Sequence, residues 1–324
     1  MVSVPRLVQH PAFDKAGAAL MRALDSAAPG QIIFVIGLSG SGKSELRQEA
    51  MWKYAGRPEA WGVGKLPVLS VRATPSDKSY FSPKEFMGRL LLSVNEPNLE
   101  WLRRAQDSRA TPDTIHLELE SKLSSDLWHQ LSRSRSEMAM RAVFERTARA
   151  RSLRAIFIEE AASITHVHGN QLPGDHMVNY MCLAEEVGVA LVLFGVPRVN
   201  ALWQGNAEIR RRSKFVYVRR YRSDTAEDRR NFARLLVTLS RRYEFADSKL
   251  VVRTASRTYH ATAGVFGEVK GYFERADEAR LDAGASAIDD AHLAQAIYPE
   301  SELDTLHQDA ALFDRLVTPA SCTS

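Results

Sequence analysis

Residues 32–45 read Ile-Ile-Phe-Val-Ile-Gly-Leu-Ser-Gly-Ser-Gly-Lys-Ser-Glu, and this stretch decides the fold. It fits the pattern G-x-x-x-x-G-K-[ST] between an apolar strand-like run and a helix-like run, the context that a phosphate-binding loop requires. Gly37, Gly40 and Gly42 let the backbone close tightly around an anion. The amides of the loop and of the helix start after it then face phosphate oxygens. The expected nucleotide-binding set is Gly37, Leu38, Ser39, Gly40, Ser41, Gly42, Lys43, Ser44 and Glu45. Lys43 would reach the β- and γ-phosphates of ATP, and Ser44 would offer its hydroxyl to Mg²⁺.

Around this loop the chain is ordinary in bulk. It has 324 residues, 45% hydrophobic and 25% charged, with a net charge of +4. That balance permits an anionic partner without demanding one. Cys182 and Cys322 are the only cysteines and have no metal-ligand spacing, which favours a reducing cytoplasm. Neither a membrane-spanning run nor a signal-peptide pattern is visible.

Apolar strand candidates at 32–36, 66–73, 155–158, 189–194 and 215–218 alternate with helical patterns, which predicts an α/β fold with a parallel central sheet. The spacing of Ala16, Ala19, Leu20, Ala23 and Leu24 predicts a helix before the loop. Ser82-Pro83-Lys84-Glu85 is a capping box that opens another. Residues 99–114 resist assignment, 117–149 read as mainly helical, and Arg146, Arg149, Arg151 and Arg154 are expected on a solvated helix face. Gly188 should end a helix that starts near Asp175. From Ser223 the pattern becomes helical, over 225–239, 249–261, 265–281 and 289–297. The expected organisation is an α/β nucleotide-binding domain over 1–222, a helical lid over 223–298, and a mobile or partner-binding tail over 299–324.

The second informative stretch is Ala155-Ile-Phe-Ile-Glu-Glu160, an apolar strand ending in two carboxylates. In a chain with a phosphate-binding loop, Glu159 would hold Mg²⁺ and Glu160 would polarise an attacking water. His166 and His168 lack further ligands with metal spacing and read as loop histidines. Arg210, Arg211 and Arg212 stand together before the last strand, an arrangement that is costly unless anions are near.

These parts together resemble the AAA+ ATPases, and most closely the transposition regulators of the TnsC/TniB/MuB type. The resemblance is carried by His10 to Phe13, the phosphate-binding loop, residues 66–86, Ala155 to Ala161, and the stretches 191–199 and 208–218. It implies a P-loop AAA+ fold with a small C-terminal helical lid. It also implies an ATPase that binds ATP and Mg²⁺ and assembles as a ring or helical filament on double-stranded DNA. Such an assembly links a target selector to a transposase, and hydrolysis drives disassembly. By resemblance, Glu159 takes the metal-carboxylate position and Glu160 the catalytic-base position. Arg210, Arg211 and Arg212 would include the finger that reaches a neighbour's nucleotide. Lys78, Lys84, Arg103 and Arg104 would follow the DNA backbone without reading sequence.

The chain departs from that family pattern at three places. It has Glu159 for the usual aspartate, Val196 for a polar sensor, and no arginine in Gly264-Val-Phe-Gly267-Glu268, where Lys270 is the nearest cation. All three point to slow hydrolysis. Two alternatives stand beside this reading. One is a small-molecule P-loop kinase; the other is a nucleotide-switched scaffold without physiological hydrolysis.

Overall fold

The computed structural model describes residues 11–75, 79–104, 136–169 and 172–318. Helix α1 (Pro11–Asp25) leads to β1 (Ile32–Gly37) and α2 (Lys43–Ala55). Next come β2 (Val68–Arg72), α3 (Pro83–Asn95), α4 (Glu137–Ala150) and β3 (Ala155–Glu159). The α/β part closes with α5 (Pro173–Val187), β4 (Ala190–Gly195), α6 (Ala207–Arg211) and β5 (Ser213–Val218). Helices α7 (Ala226–Ser240), α8 (Leu250–Arg253), α9 (Ala255–Thr262), α10 (Phe266–Asp282), α11 (Asp290–Gln295) and α12 (Glu300–Val317) follow.

The five strands form one sheet in the order β2-β3-β4-β1-β5. β1 is buried along its whole length, because an all-apolar strand suits a sheet covered on both faces. β2, at one edge, is buried except at Ser70 and Arg72. In the parallel register, Ile36 pairs with Gly195 and Ile158 with Leu193. The carboxyl ends of β1, β3 and β4 therefore emerge at the same edge of the sheet, where ligands bind in open α/β folds.

Local signals act as their chemistry requires. The Ser82 hydroxyl accepts a hydrogen bond from the Glu85 amide at 3.3 Å and starts α3. Phe86, Met87, Leu90 and Leu91 form its buried face. Gly188 ends α5 in the left-handed region, at φ 84°. The Thr225 hydroxyl caps α7 through the Asp228 amide.

Four expectations need correction or completion. Arg151 does not lie on a solvated face: it is 4% exposed and donates to the Gly64 carbonyl. Burial pushes its pKa down. Arg149 bonds the Glu186 carbonyl, and Arg154 bonds the Tyr54 carbonyl and stacks on that ring. Those two guanidiniums tie elements together while remaining, like Arg146, exposed as expected. The segment 249–261 is two helices meeting at Thr254, not one. Most of the unassigned stretch 99–114 and the first part of the helical reading over 117–149 lie outside the described residues.

Most of the tail expected over 299–324 as mobile or partner-binding is α12, an 18-residue helix that buries Ala310 and Phe313. The Phe313 ring meets Tyr217 edge-on at 6.4 Å. Asp314 accepts two hydrogen bonds from Arg220, whose other nitrogen reaches the Tyr259 hydroxyl and the Ala263 carbonyl. By compactness the chain divides into two units: residues 17–36 with 43–216, and residues 11–16 and 37–42 with Tyr217 onward. This boundary falls six residues before Ser223 and gathers α12 with the other C-terminal helices. Phe232, Leu235, Leu236, Val269, Tyr272 and Phe273 centre the core of that unit.

Asp314→Ala leaves a largely buried guanidinium without its carboxylate, so it should lower stability by about 1–3 kcal/mol. Urea denaturation would measure the loss, and hydrogen exchange should rise across residues 300–317.

Candidate nucleotide site

The loop after β1 begins with a tight turn, in which the Ser41 amide donates to the Leu38 carbonyl at 3.2 Å. Gly40 and Gly42 sit at φ 71° and 91°, a region that a side chain strains. Gly40 meets the first turn of α10 backbone to backbone: the Gly267 amide donates to its carbonyl at 2.8 Å. A Cβ at Gly267 would lie 2.6 Å from both the Cα and the carbonyl oxygen of Gly40. Only glycine permits that approach. The Ser41 hydroxyl is buried with no hydrogen-bond partner among the described residues, a polar atom inside an anion-binding loop.

α2 begins at Lys43, so the positive end of its backbone dipole lies at the loop. Burial pushes the Lys43 ammonium down to about 8, and the Glu160 carboxylate pulls it part of the way back. A cation kept in a desolvated place favours an anionic ligand with several charges.

The two carboxylates at the end of β3 differ in setting. Glu159 is partly buried, and its Oε1 accepts from the Ser70 hydroxyl at 3.2 Å and pairs with Arg47 Nη2 at 3.2 Å. Arg47 also donates to the Ser70 hydroxyl, at 2.7 Å. Glu160 is exposed and its backbone is left-handed, φ 53° and ψ 39°, ahead of a 3-10 turn over Ala161–Thr165. That conformation costs a non-glycine residue on the order of 1–2 kcal/mol. It turns the chain sharply, so the two adjacent carboxylates are held in different settings.

The remaining predicted residues fall in several settings. Arg212 is half-buried and pairs with Glu185 at 2.9 Å and with Glu208 at 3.9 Å. Arg210 and Arg211 are exposed at the end of α6 and, among the described residues, make no ion pair. Val196 follows β4 and brings an apolar side chain to the position of the expected sensor. Lys270 pairs with Glu274, one turn along α10. Lys84 is exposed in the first turn of α3. Lys78 lies outside the described residues; Arg103 and Arg104 close a 3-10 turn over Glu100–Arg104, and their side chains are not described. His168 stacks against Tyr80, and the His166 carbonyl accepts from the Phe81 amide.

Among the described residues no group of three or more His, Cys, Asp or Glu could cage a metal ion. The oxygen donors Ser44 and Glu159 are nevertheless of the kind that suits Mg²⁺, which takes one or two carboxylates and completes its shell with phosphates and water. Sequence reading missed Arg47 and Ser70. Their only signal was an arginine one turn beyond Lys43 on the same helix face.

Two outcomes follow for this site. Glu160→Gly relieves the left-handed strain and should raise stability by up to about 1 kcal/mol while abolishing ATP turnover. Glu160→Gln should lose turnover without the gain in stability; thermal unfolding beside an ATPase assay reads both. The second outcome is a pH dependence. With Lys43 at about 8 against 10.5 in the unfolded chain, its burial costs stability below pH 8. That cost is relieved as the pH rises toward 10.5. Phosphate binding needs the charged form, so the Kd for ATP should be flat below pH 8 and rise about tenfold per unit above it. Calorimetric titrations at pH 7 and 9 would measure this.

Comparison with solved structures places this architecture among known folds. An ORC2 protein of Aeropyrum pernix in its ADP form is 10% identical, with a TM-score of 0.53 over 88% of this chain and 67% of that one. A Walker-type ATPase of Pyrococcus abyssi is 13% identical, with a TM-score of 0.49 over 94% of this chain and 74% of that one. Cdc6p of Pyrobaculum aerophilum is 13% identical, with a TM-score of 0.48 over 89% and 66%. At these identities the likeness concerns the fold alone. Comparison by sequence with curated proteins gives no match. Residues 27–202 match the family model of the AAA domain, a span that takes in the loop, Glu159, Glu160 and β4. More than half of the chain is covered by that match, and the chain belongs to the AAA family of P-loop nucleotide-binding proteins.

Proposed function

We propose that this protein is an ATP-dependent DNA-binding transposition regulator. It assembles with copies of itself on double-stranded DNA, links a target selector to a transposase, and disassembles on slow ATP hydrolysis. The observation that carries this reading is the contrast within the arginine cluster. Arg212 is tied to Glu185 and Glu208 of its own chain, whereas Arg210 and Arg211 are exposed and, among the described residues, without an ion pair. Two adjacent cations of this kind suit the nucleotide of a neighbouring copy, where one stabilises charge that develops during phosphoryl transfer.

Within one chain, the loop amides and Lys43 bind the triphosphate, and Glu160 takes the proton of the attacking water. Ser44 and Glu159 would hold Mg²⁺, which supplies charge neutralisation between phosphate oxygens. Lys84, with Lys78, Arg103 and Arg104, would contact phosphates of the duplex without reading bases. The resemblance of residues 66–86 and 208–218 to transposition regulators supports the transposon setting.

A second reading, a nucleotide switch without physiological hydrolysis, draws on the valine at the sensor position and on the Arg47–Glu159 pair. Wild-type turnover that Glu160→Gln leaves unaltered would favour that reading, because Glu160 would then be no base.

Sedimentation and electron microscopy with duplex DNA and a non-hydrolysable ATP analogue test the assembly. Large, salt-sensitive assemblies are expected, and Lys43→Ala should abolish them. Replacing Arg210 and Arg211 together by Ala should lower turnover by about 10³-fold or more. A monomer under those conditions would contradict the proposal.

A further inference from the structure

The contacts of Glu159 carry a consequence for the metal. Arg47 lies three residues beyond Ser44 and four beyond Lys43 on α2, so the helix turns all three to one face. Its guanidinium is largely buried, with 11% of the side chain exposed. It reaches Glu159 Oε1 at 3.2 Å and the Ser70 hydroxyl at 2.7 Å, and Ser70 donates to the same Oε1. The carboxylate assigned to Mg²⁺ is thus neutralised by a cation of its own chain. The three groups line a cavity of about 460 Å³ with Arg72, Ser93 and Trp101, which gives water and ions access to them.

We infer that Arg47 is a positioning residue that holds Glu159, and that Mg²⁺ must compete with Arg47 for that carboxylate. This rests on the nucleotide reading of the site. Three physical points support it. A guanidinium fixed by a second hydrogen bond, here to Ser70, does not follow the carboxylate if Glu159 turns away. The pair is only partly desolvated, with 23% of the Glu159 side chain exposed, so its separation is affordable once a divalent ion replaces the arginine. Finally, the glutamate is long enough for this contact. Aspartate would be shorter by one C–C bond, roughly 1.5 Å, and would fall short of Arg47. The glutamate in place of the family's aspartate then has a purpose: it lets one carboxylate alternate between an internal cation and an external one. Metal-free protein keeps Glu159 parked on Arg47, and the Mg²⁺ concentration decides when it is released.

The test is the binding of a fluorescent ATP analogue during a Mg²⁺ titration, with Mn²⁺ paramagnetic resonance on the same samples as a direct reading of bound metal. Arg47→Gln should lower the half-saturating Mg²⁺ about tenfold, and Glu159→Gln should remove the metal-dependent increment in affinity. A folded Arg47→Gln protein, judged by thermal unfolding, with the wild-type midpoint would overturn the inference. Should Arg47→Gln not fold, Arg47→Lys serves, because the shorter lysine lacks the two separate nitrogens with which Arg47 meets Ser70 and Glu159. A midpoint two- to threefold lower supports the inference and an unchanged one overturns it. A wild-type protein that binds no nucleotide would overturn the site reading together with the inference. Normal nucleotide binding with an unmoved midpoint would overturn the role of Arg47 alone.

Discussion

The site depends on one partly buried charge. Lys43 opens a helix at the end of a glycine turn, and burial there costs its ammonium enough to bring it down to about 8. Glu160 offsets part of that cost from the end of β3 and is itself held in a left-handed conformation. A lysine in this setting favours an anionic ligand with several charges. The rest of the α/β unit serves that geometry. The buried β1 aims the loop, the parallel register brings β3 to the same edge, and Arg151 and Arg154 lock the segments behind β3.

Residues 37–42 pack on α10 within the same compact unit. Gly267 brings the start of α10 against Gly40 with no room for a side chain on Gly267. The Gly264–Glu268 stretch carries no arginine, and its Gly267 amide donates to the Gly40 carbonyl. Val196 follows β4 and Arg47 holds Glu159, while the loop keeps its three glycines and Lys43. A small-molecule kinase is a poor match for a chain in the AAA family.

Much of this was legible in the sequence, because the relevant signals are local. Gly37 to Ser44 encodes a turn and a helix start within eight residues, and Ala155 to Glu160 encodes a buried strand and its two carboxylates. The capping hydroxyls of Ser82 and Thr225 and the stop at Gly188 were equally readable. What could not be read depends on partners far along the chain. Arg47 meets Glu159 more than a hundred residues later, and Arg151 looks like any helix-end arginine until Gly64 is beside it. α12 was concealed by its acidic composition. Leu303, Leu306, Ala310 and Phe313 carry a helical spacing, but the groups that anchor it, Tyr217, Arg220 and His260, lie elsewhere in the chain.

The most direct measurement is the titration of the Lys43 side chain itself, followed by heteronuclear NMR in the free protein and with a bound ATP analogue. A desolvated lysine waiting for phosphate should titrate near 8 when free and move above about 10 when the analogue binds. A free-protein midpoint at the ordinary 10.5, or one that the analogue leaves in place, would contradict the account.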